Sequence, residues 1–410
     1  MGERGKVSLP GKLSLPGRVS RRLKWSAAGA AIAALLVAGG ALAQRPGTVP
    51  PDEQGECPPG TTEIRPGRCA APELPPPSIV DYRPRSTLVV AEHKVPRAKF
   101  PVVDIHSHTG PTPETIDRLI AEMDALNVRV LVNLSGEEAA AVKQKVDYIR
   151  SSKHPDRFRV FANVNFQGAG SPGWAEKQVA DLEQAVRNGA IGLKVYKNLG
   201  LRVRKADGTR LKVDDPALKP VWEAAARLDI PVLIHTGEPQ EFFSPLDYHN
   251  ERWLELALFP DRRHNMPGEP SFEELMKERD AMFAANPKTR FINAHFGWYG
   301  NDLARAAKLL DAAPNVVMDL SAVLYDFGRQ PRAAREFFIK YQDRVLFGKD
   351  SYAPSEFPYY WRVLETADEY FDYYRDYHAF WKLYGMDLPD EVLRKVYHTN
   401  AQRVTKGLPR

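Results

Sequence analysis

The stretch VVDIHSHTG, residues 102–110, places two histidines two positions apart, directly after β-branched residues and before a Gly-Pro loop. Side chains on a β-strand alternate between two faces, so Asp104, His106 and His108 are predicted to share one face, roughly 6.6 to 7 Å apart per step. On a helix, residues i and i+2 would point in nearly opposite directions. We therefore predict a strand whose imidazoles bind one ion together.

Short apolar runs rich in Val and Ile recur after residue 100, and each is followed by a loop and a helical stretch. Alternating strands and helices require parallel pairing with right-handed crossovers. Eight such units close a (β/α)8 barrel, whereas a doubly wound open sheet usually has fewer strands and a glycine-rich turn after the first. The predicted fold class is α/β, a TIM barrel, with strands at residues 102–105, 128–135, 158–166, 190–197, 231–237, 290–297, 315–322 and 344–351.

The first 43 residues have the features of a signal peptide. Basic residues precede an apolar run from Ser26 to Ala43, which ends in the small-residue site Ala41-Leu42-Ala43. We predict export to the periplasm or the medium. The alternative is an uncleaved membrane anchor, because about 18 apolar residues span roughly 27 Å. In that case alone the protein would contact a membrane.

Charge and cysteine content narrow the partners and the compartment. The formal net charge of +5 arises in the signal segment, which holds seven Lys or Arg residues and one acid, so the remaining chain is nearly neutral. Nothing in this balance favours a nucleic-acid partner. The only two cysteines, Cys57 and Cys69, lie in a Pro-rich lead-in and are predicted to form a disulfide after export. The predicted domains are residues 1–43 (signal), 44–99 (lead-in) and 100–410 (barrel).

Further histidines and an acid follow other predicted strands. His235 ends the fifth strand, His295 the sixth and Asp350 the eighth. The carboxyl ends of barrel strands meet at one rim, where catalytic groups gather. Imidazole together with carboxylate suits zinc, iron or manganese better than calcium or magnesium. Asp350 could alternatively cap the helix that follows it.

Four motifs resemble the amidohydrolase superfamily, in the branch that includes aminocarboxymuconate-semialdehyde decarboxylase and small lactonases. They are DIHSH (104–108), LIHTG (233–237), NAHFG (293–297) and GKDSY (348–352), and HTNAQRV (398–404) is similar to that branch's closing helix. The resemblance covers roughly residues 100–408. It implies metal ligation by His106, His108, His235 and Asp350. It also implies catalytic roles for Asp350 as a proton acceptor and for His295 beside the metal-bound water or the substrate.

Two further residues have open roles under this resemblance. In binuclear superfamily members a carbamylated lysine on the fourth strand bridges two metals, and Lys194 lies on that strand. Relatives in the decarboxylase and lactonase branch work with one metal, so Lys194 alternatively pairs with a substrate carboxylate or an acid. Asp104 is either a metal ligand or a hydrogen-bonding partner behind the ligands.

We therefore predict an exported enzyme with a divalent transition metal, zinc first and manganese or iron as alternatives. The leading function is hydrolysis of an amide, ester or lactone by metal-activated water. Non-oxidative decarboxylation on the same barrel is the alternative, and a binding module without turnover is a third hypothesis. The substrate is a small molecule, and Lys197, Arg202 and Arg204 hint that it is anionic. Insertions at residues 239–270 and 353–389, the second rich in aromatics, suggest a helical lid or a homo-oligomer interface.

Overall fold

The computed structural model describes residues 47–409. The predicted signal segment, residues 1–43, lies outside the described residues. Among the helices of residues 47–409, none combines the length and the apolar character that crossing a bilayer requires. Within the described residues the chain divides into two compact units, one that ends at Ser78 and one that begins at Ile79.

The first unit contains a small antiparallel sheet within the predicted lead-in. Its strands are β1 (Thr48–Val49), β2 (Thr62–Arg65) and β3 (Arg68–Ala70), in the order β1–β3–β2. Cys69 on β3 is fully buried and forms a disulfide with Cys57, their Cα atoms 5.6 Å apart. The lead-in is therefore partly folded, not extended throughout. The second unit begins at Ile79, within the stretch that the sequence assigns to the lead-in.

The second unit contains the eight predicted parallel strands. Their backbone hydrogen bonds form two parallel sheets. One sheet contains the first two strands and the first half of the third, and the other runs from the second half of the third strand to the eighth. The third strand is split at Phe161, whose ring packs so closely on Gly192 that a Cβ there would lie 2.4 Å from it. The strands are β4 (Val102–Ser107), β5 (Val128–Asn133), β6 (Phe158–Val160), β7 (Ala162–Asn163), β8 (Leu193–Val195), β9 (Val232–Ile234), β10 (Phe291–Asn293), β11 (Val316–Asp319) and β12 (Val345–Leu346).

Hydrogen bonds between the first and last strands close the ring. The amide of Ile105 donates to the carbonyl of Phe347 (3.2 Å), and the amide of Asp350 donates to the carbonyl of His106 (2.6 Å). Alternate residues of successive strands, such as Val103 and Ile292, form an apolar cluster separate from the larger one that packs against the helices. Strand alternation thus fills the barrel with one set of side chains and buries the other under the helices.

Helices follow most strands, as βα units require. Several begin with the expected caps: Ser271 accepts from the amide of Glu274, and Asp302 accepts from that of Arg305. The α-helices are α1 (Ile116–Leu126), α2 (Ala139–Ser151), α3 (Trp174–Arg187), α4 (Asn198–Leu201), α5 (Lys219–Arg227), α6 (Trp253–Leu258), α7 (Phe272–Ala285), α8 (Leu303–Ala312), α9 (Leu324–Arg329), α10 (Pro331–Lys340), α11 (Phe357–Glu365), α12 (Asp390–Arg394) and α13 (Asn400–Val404).

The insertion after the eighth strand is only partly helical. Helix α11 is followed by an antiparallel hairpin of β13 (Phe371–Asp372) and β14 (Lys382–Leu383), so this insertion is only partly as helical as the sequence suggested. Several of its aromatic side chains serve the core instead of a surface. Tyr360 and Trp361 are fully buried and pack on Phe347. The surplus of aromatics therefore gives less support to an oligomer interface than the sequence suggested.

Candidate metal centre

The carboxylate of Asp350 lies between the two histidines of the first barrel strand. One of its oxygens is 3.5 Å from Nε2 of His106 and 3.5 Å from Nε2 of His108. His106 is fully buried, whereas the side chains of His108 and Asp350 keep 32% and 30% of their surface exposed. The group is therefore closed on the barrel side and open to solvent at the carboxyl ends of the strands.

Two more histidines complete the group from the fifth and sixth strands. Nε2 of His295 is 3.2 Å from Nδ1 of His235, and the rings are 4.2 Å apart. Ligand atoms of His106, His295 and Asp350 all lie within 4.8 Å of one another. The structure thus brings the four predicted histidines and Asp350 to one rim. His295, predicted to act beside the metal, stands among the potential ligands, while His235 borders them through His295.

Hydrogen bonds behind the cluster orient the buried imidazoles. Nδ1 of His106 lies 2.9 Å from a carboxylate oxygen of Asp319 and 2.8 Å from the hydroxyl of Ser321. Nδ1 of His295 donates to the carbonyl of Ser321 (2.8 Å). Acceptors at Nδ1 place the ring proton there and leave the Nε2 lone pair free, which is how histidine ligands of metals are usually oriented.

Asp104 does not join the cluster. The pairing of β4 with β5 shifts register between Asp104 and Ser107, so strict alternation is interrupted. The predicted common face of Asp104, His106 and His108 is therefore wrong at Asp104. One oxygen of Asp104 instead accepts from the amides of His106 (3.1 Å) and Lys349 (3.0 Å), and the other is buried without a partner. Asp104 thus ties together the backbones that carry His106 and Asp350.

Lys194 is fully buried on the fourth strand, and its Nζ lies 3.1 Å from Nε2 of His106. Burial lowers the pKa of this amine to about 8, despite the opposing effect of Asp350. A larger fraction of the amine is therefore neutral near pH 7 than for an exposed lysine. The side chain therefore reaches the cluster, where both predicted roles of Lys194 would place it.

The electrostatics of the cluster suit metal ligation. Burial, aided by Lys194, lowers the pKa of His108 to about 4, and burial with His235 lowers that of His295 to about 4. Burial also lowers the pKa of His106 and of His235. Burial would raise the pKa of Asp350, but His295 and His106 bring it below its ordinary value. Neutral imidazoles beside an ionised carboxylate are the protonation states that a divalent cation requires.

The backbone is strained at the rim. His295 (φ 55°), Ala322 (φ 59°) and Asp350 (φ 75°) adopt left-handed conformations that non-glycine residues rarely occupy. The left-handed backbone continues from His295 to Trp298, so the sixth strand ends in a tight turn instead of continuing outward. Such strain concentrates at functional sites, where the surrounding structure enforces it.

The cations predicted for an anionic substrate, and two residues that follow barrel strands, have the following surroundings. Lys197 forms an ion pair with the buried Glu238, so it is not a free cation for a substrate anion. Arg202 and Arg204 are exposed. Asp350 is not a helix cap, because the following 3-10 helix begins after Ala353. The ring of Trp298 stacks on His295 at 4.7 Å.

Sequence reasoning missed the residues that hold the cluster in place. Asp319 and Ser321 lie at the end of the seventh strand, and the rule that strand ends carry function could have identified them. On the other side of the rim, the hydroxyl of Ser135 is 3.0 Å from Nδ1 of His108 and 3.1 Å from the hydroxyl of Tyr196. These two residues also end predicted strands.

The chain forms a closed α/β barrel, and histidines and a carboxylate converge at the carboxyl ends of its strands. This combination is typical of barrel enzymes with a metal centre. The amidohydrolase family model matches residues 103–405, so the chain belongs to the amidohydrolase family and is an enzyme of that superfamily. In a search of curated proteins, no sequence matches the chain.

Several solved structures are similar to the chain. One is a 2,6-dihydroxybenzoate decarboxylase complexed with 2,6-dihydroxybenzoate, with a TM-score of 0.47 and 17% identity over 75% of this chain and 99% of that one. A putative amidohydrolase from Staphylococcus aureus has a TM-score of 0.47 and 16% identity over 74% and 98% of the two chains. The 4-oxalomesaconate hydratase of Rhodopseudomonas palustris has a TM-score of 0.43 and 15% identity over 74% and 95%.

Proposed function

We propose that the chain is a metal-dependent hydrolase that adds water to an amide, ester or lactone of a small molecule. The observation that carries this proposal is the position of Asp350. Its carboxylate lies 3.5 Å from His106 and from His108, and it keeps 30% of its side-chain surface exposed. An ionised carboxylate that solvent can reach, beside two neutral imidazoles, is a general base placed where water enters.

The residues present fit a divalent transition metal. Nδ1 of both His106 and His295 faces acceptors, so the unprotonated Nε2 of each ring faces the cluster, where Lys194 and His235 are its neighbours. Nε2 of His235 lies 3.8 Å from a carboxylate oxygen of Glu238. His106, His108, His235 and Asp350 would hold the ion, with His295 within reach. This donor set favours zinc, with manganese and iron as alternatives. When bound, such an ion supplies Lewis acidity, which lowers the pKa of water from 15.7 toward about 7.

Asp350 takes the proton of the attacking water and returns it to the leaving group. His295 has a narrower role than the sequence suggested. Because its Nδ1 donates to the carbonyl of Ser321, its Nε2 is an acceptor, with Nδ1 of His235 as its present neighbour at 3.2 Å. An acceptor can orient water once His235 turns to a metal ion, whereas a developing oxyanion needs a donor. Of the two roles predicted for His295, the hydrogen-bonding pattern supports the one toward the water.

Lys194 bears on the number of metals. A carbamate on its buried amine would bridge two ions, whereas the free amine leaves a site for one. Metal analysis of the purified protein separates these cases, since a metal-to-chain ratio of two supports the bridge and a ratio of one supports the free amine. The Lys194→Met variant should lower the ratio only in the first case.

Export belongs to the same proposal. A signal segment over residues 1–43 would deliver the enzyme to the periplasm, where Cys57 and Cys69 can be oxidised. N-terminal sequencing of the protein from a periplasmic extract should show a mature chain that starts near Gln44. A chain that retains residues 1–43 and stays with the membranes would support the anchor instead. A homo-oligomer also stays a prediction, and sedimentation analysis would test it.

The decisive experiment is a paired assay of the metal-loaded enzyme. Lactones, esters, amides and aromatic carboxylates are screened for acid release and, in parallel, for carbon dioxide. Acid release that is lost with a chelator and restored with zinc is the expected result. Release of carbon dioxide without hydrolysis would establish the decarboxylase instead. A stoichiometrically metal-free protein without turnover would favour a binding module.

A further inference from the structure

The second unit contains a cavity of about 600 Å³ whose lining residues do not overlap with the metal centre. Residues 79–85 form one side of it, and residues 372–382, around the β13–β14 hairpin, form the other. Much of its lining is aromatic. Tyr82 and Phe380 contribute rings that meet edge to face with centroids 5.2 Å apart, and Tyr373, Tyr377 and Trp381 contribute the rest.

Arg375 brings an unusual charge to this cavity. Among residues 47–409, its side chain has no hydrogen-bond acceptor and no acidic partner within ion-pair distance. Its guanidinium lies 5.6 Å from the ring of Tyr374, and tyrosines dominate its electrostatic surroundings. A half-buried cation without a counter-charge is unfavourable unless an anion can reach it.

Two tyrosines follow one another directly before Arg375 in the chain. The phenol oxygens of Tyr373 and Tyr374 are buried, and the two rings are 4.4 Å apart, so the two phenols can pair with each other. Tyr373 itself is only 5% exposed and, like Arg375, lines the cavity. Buried phenol groups usually find a partner, and these two have each other, so the group left without a partner at this cavity is the guanidinium of Arg375.

The other charges of the cavity leave an excess of positive charge. Arg83 lies 3.8 Å from Asp376, and Lys382 forms an ion pair with Asp372. Arg85, which is exposed, has no acidic partner among the residues that the structure describes. Two guanidinium groups, those of Arg85 and Arg375, are thus available to an anion.

The backbone is strained at the rim of the cavity. Ala379 (φ 34°) and Phe380 (φ 49°) adopt left-handed conformations without being glycine. Phe380 is also 49% exposed, so an apolar ring is in contact with solvent at a strained position. Strained backbone persists where the surrounding structure enforces it, and ligand-binding segments are common examples.

We propose that this cavity binds a small aromatic carboxylate. The planar guanidinium of Arg375 matches a carboxylate in shape and charge, and the aromatic lining contacts the ring. Inorganic phosphate shares the charge but gains nothing from the aromatic lining. The site does not depend on the proposed hydrolase activity, because none of its lining residues belongs to the metal centre.

Calorimetric titration of the intact protein with benzoate tests the proposal, with benzamide and inorganic phosphate as comparison probes. Benzoate should bind, and benzamide, which keeps the shape but lacks the charge, should bind about 10-fold more weakly or worse. Phosphate should also bind more weakly than benzoate. Equal affinity for benzamide or phosphate would overturn the assignment to an aromatic carboxylate, as would the absence of benzoate binding.

Two variants locate the bound benzoate. Arg375→Gln should weaken benzoate binding about 10-fold or more, whereas Asp350→Asn, which alters the metal centre, should leave it unchanged. Binding lost in the Asp350 variant and kept in the Arg375 variant would place benzoate at the metal centre and refute the cavity. If Arg375→Gln fails to fold, Arg85→Gln serves the same purpose, with a smaller expected loss because Arg85 is exposed.

Discussion

Asp319 accepts a hydrogen bond from His106 over 2.9 Å, and both side chains are fully buried. The carboxylate also accepts from the amide and the hydroxyl of Ser321, so its orientation is fixed from a second direction. Removing such a support usually lowers metal affinity by about 10-fold to 100-fold.

Asp319→Asn should therefore bind metal about 10-fold to 100-fold more weakly. Asparagine can present its NH₂ group, a donor, where the carboxylate oxygen of Asp319 accepts from Nδ1 of His106, so the ring of His106 would be held less firmly. Competition with a chromogenic chelator measures the affinity. Asp326→Asn is the matched control, since Asp326 is also buried but pairs with Arg329, away from the cluster. Equal losses in both variants would mean that Asp319 acts only through general stability.

Asp350→Asn should abolish hydrolysis and leave the fold intact. The amide cannot take the proton of water, while asparagine tolerates the left-handed backbone at this position better than most residues. His106→Ala should give the same loss of activity. Turnover rates and thermal melting of the two variants check this, and retained turnover in either would exclude the assigned roles.

Stability should depend on pH through Glu255. Burial would raise its pKa, but the hydrogen bond with His378 and the charge of Arg252 lower it to about 2. A depressed pKa means that the stabilisation is complete above the unfolded value of 4.5 and is lost as the pH falls toward 2. At pH 6 the ionised carboxylate of Glu255 therefore contributes at most about 3 kcal/mol to the free energy of unfolding.

Glu255→Gln should remove this contribution. Urea unfolding should show that the native chain loses more stability between pH 6 and pH 3.5 than the variant does, because the native chain is the more stable of the two at pH 6 and this advantage shrinks in acid. Glu273→Gln is the control, because Glu273 pairs with Arg305 at the surface. If the native chain and Glu255→Gln lost the same stability between pH 6 and pH 3.5, Glu255 would not be the source of the acid sensitivity.

The disulfide should matter only to the first unit. Replacing Cys57 and Cys69 by Ser should destabilise that unit by about 3 kcal/mol, the entropy expected for a short closed loop. Hydrolysis should persist, because every residue of the metal centre lies in the second unit. Proteolysis should cleave the first unit of the variant faster than that of the native chain. Loss of hydrolysis together with the disulfide would contradict this prediction.

The barrel could be predicted from the sequence because hydrophobic burial leaves a local pattern. Each strand is an apolar run bounded by loops, and strand ends of a parallel barrel must meet, so His235, His295 and Asp350 could be placed at one rim before any coordinates. The third strand, predicted as one run, is split at Phe161, whose ring packs on Gly192, a contact between residues separated in sequence that no local pattern records.

The finer geometry of the site depends on features without a local pattern. The register shift in β4 separates Asp104 from His106, and strict alternation cannot anticipate it. The left-handed turn at His295 is enforced by surrounding packing, since its sequence contains only one glycine. The partner of Lys197 is Glu238, which comes from another strand end, so the charge available to a substrate could not be counted from the sequence.

The unfavourable torsions at His295 and Asp350 have an evolutionary consequence. Glycine or asparagine at either position would relieve the main chain and increase heat resistance, yet would remove a group that the chemistry needs. A laboratory selection for thermal tolerance alone should therefore accumulate inactive variants at these two positions. Stability and turnover oppose each other there, and only selection for both would keep the native pair.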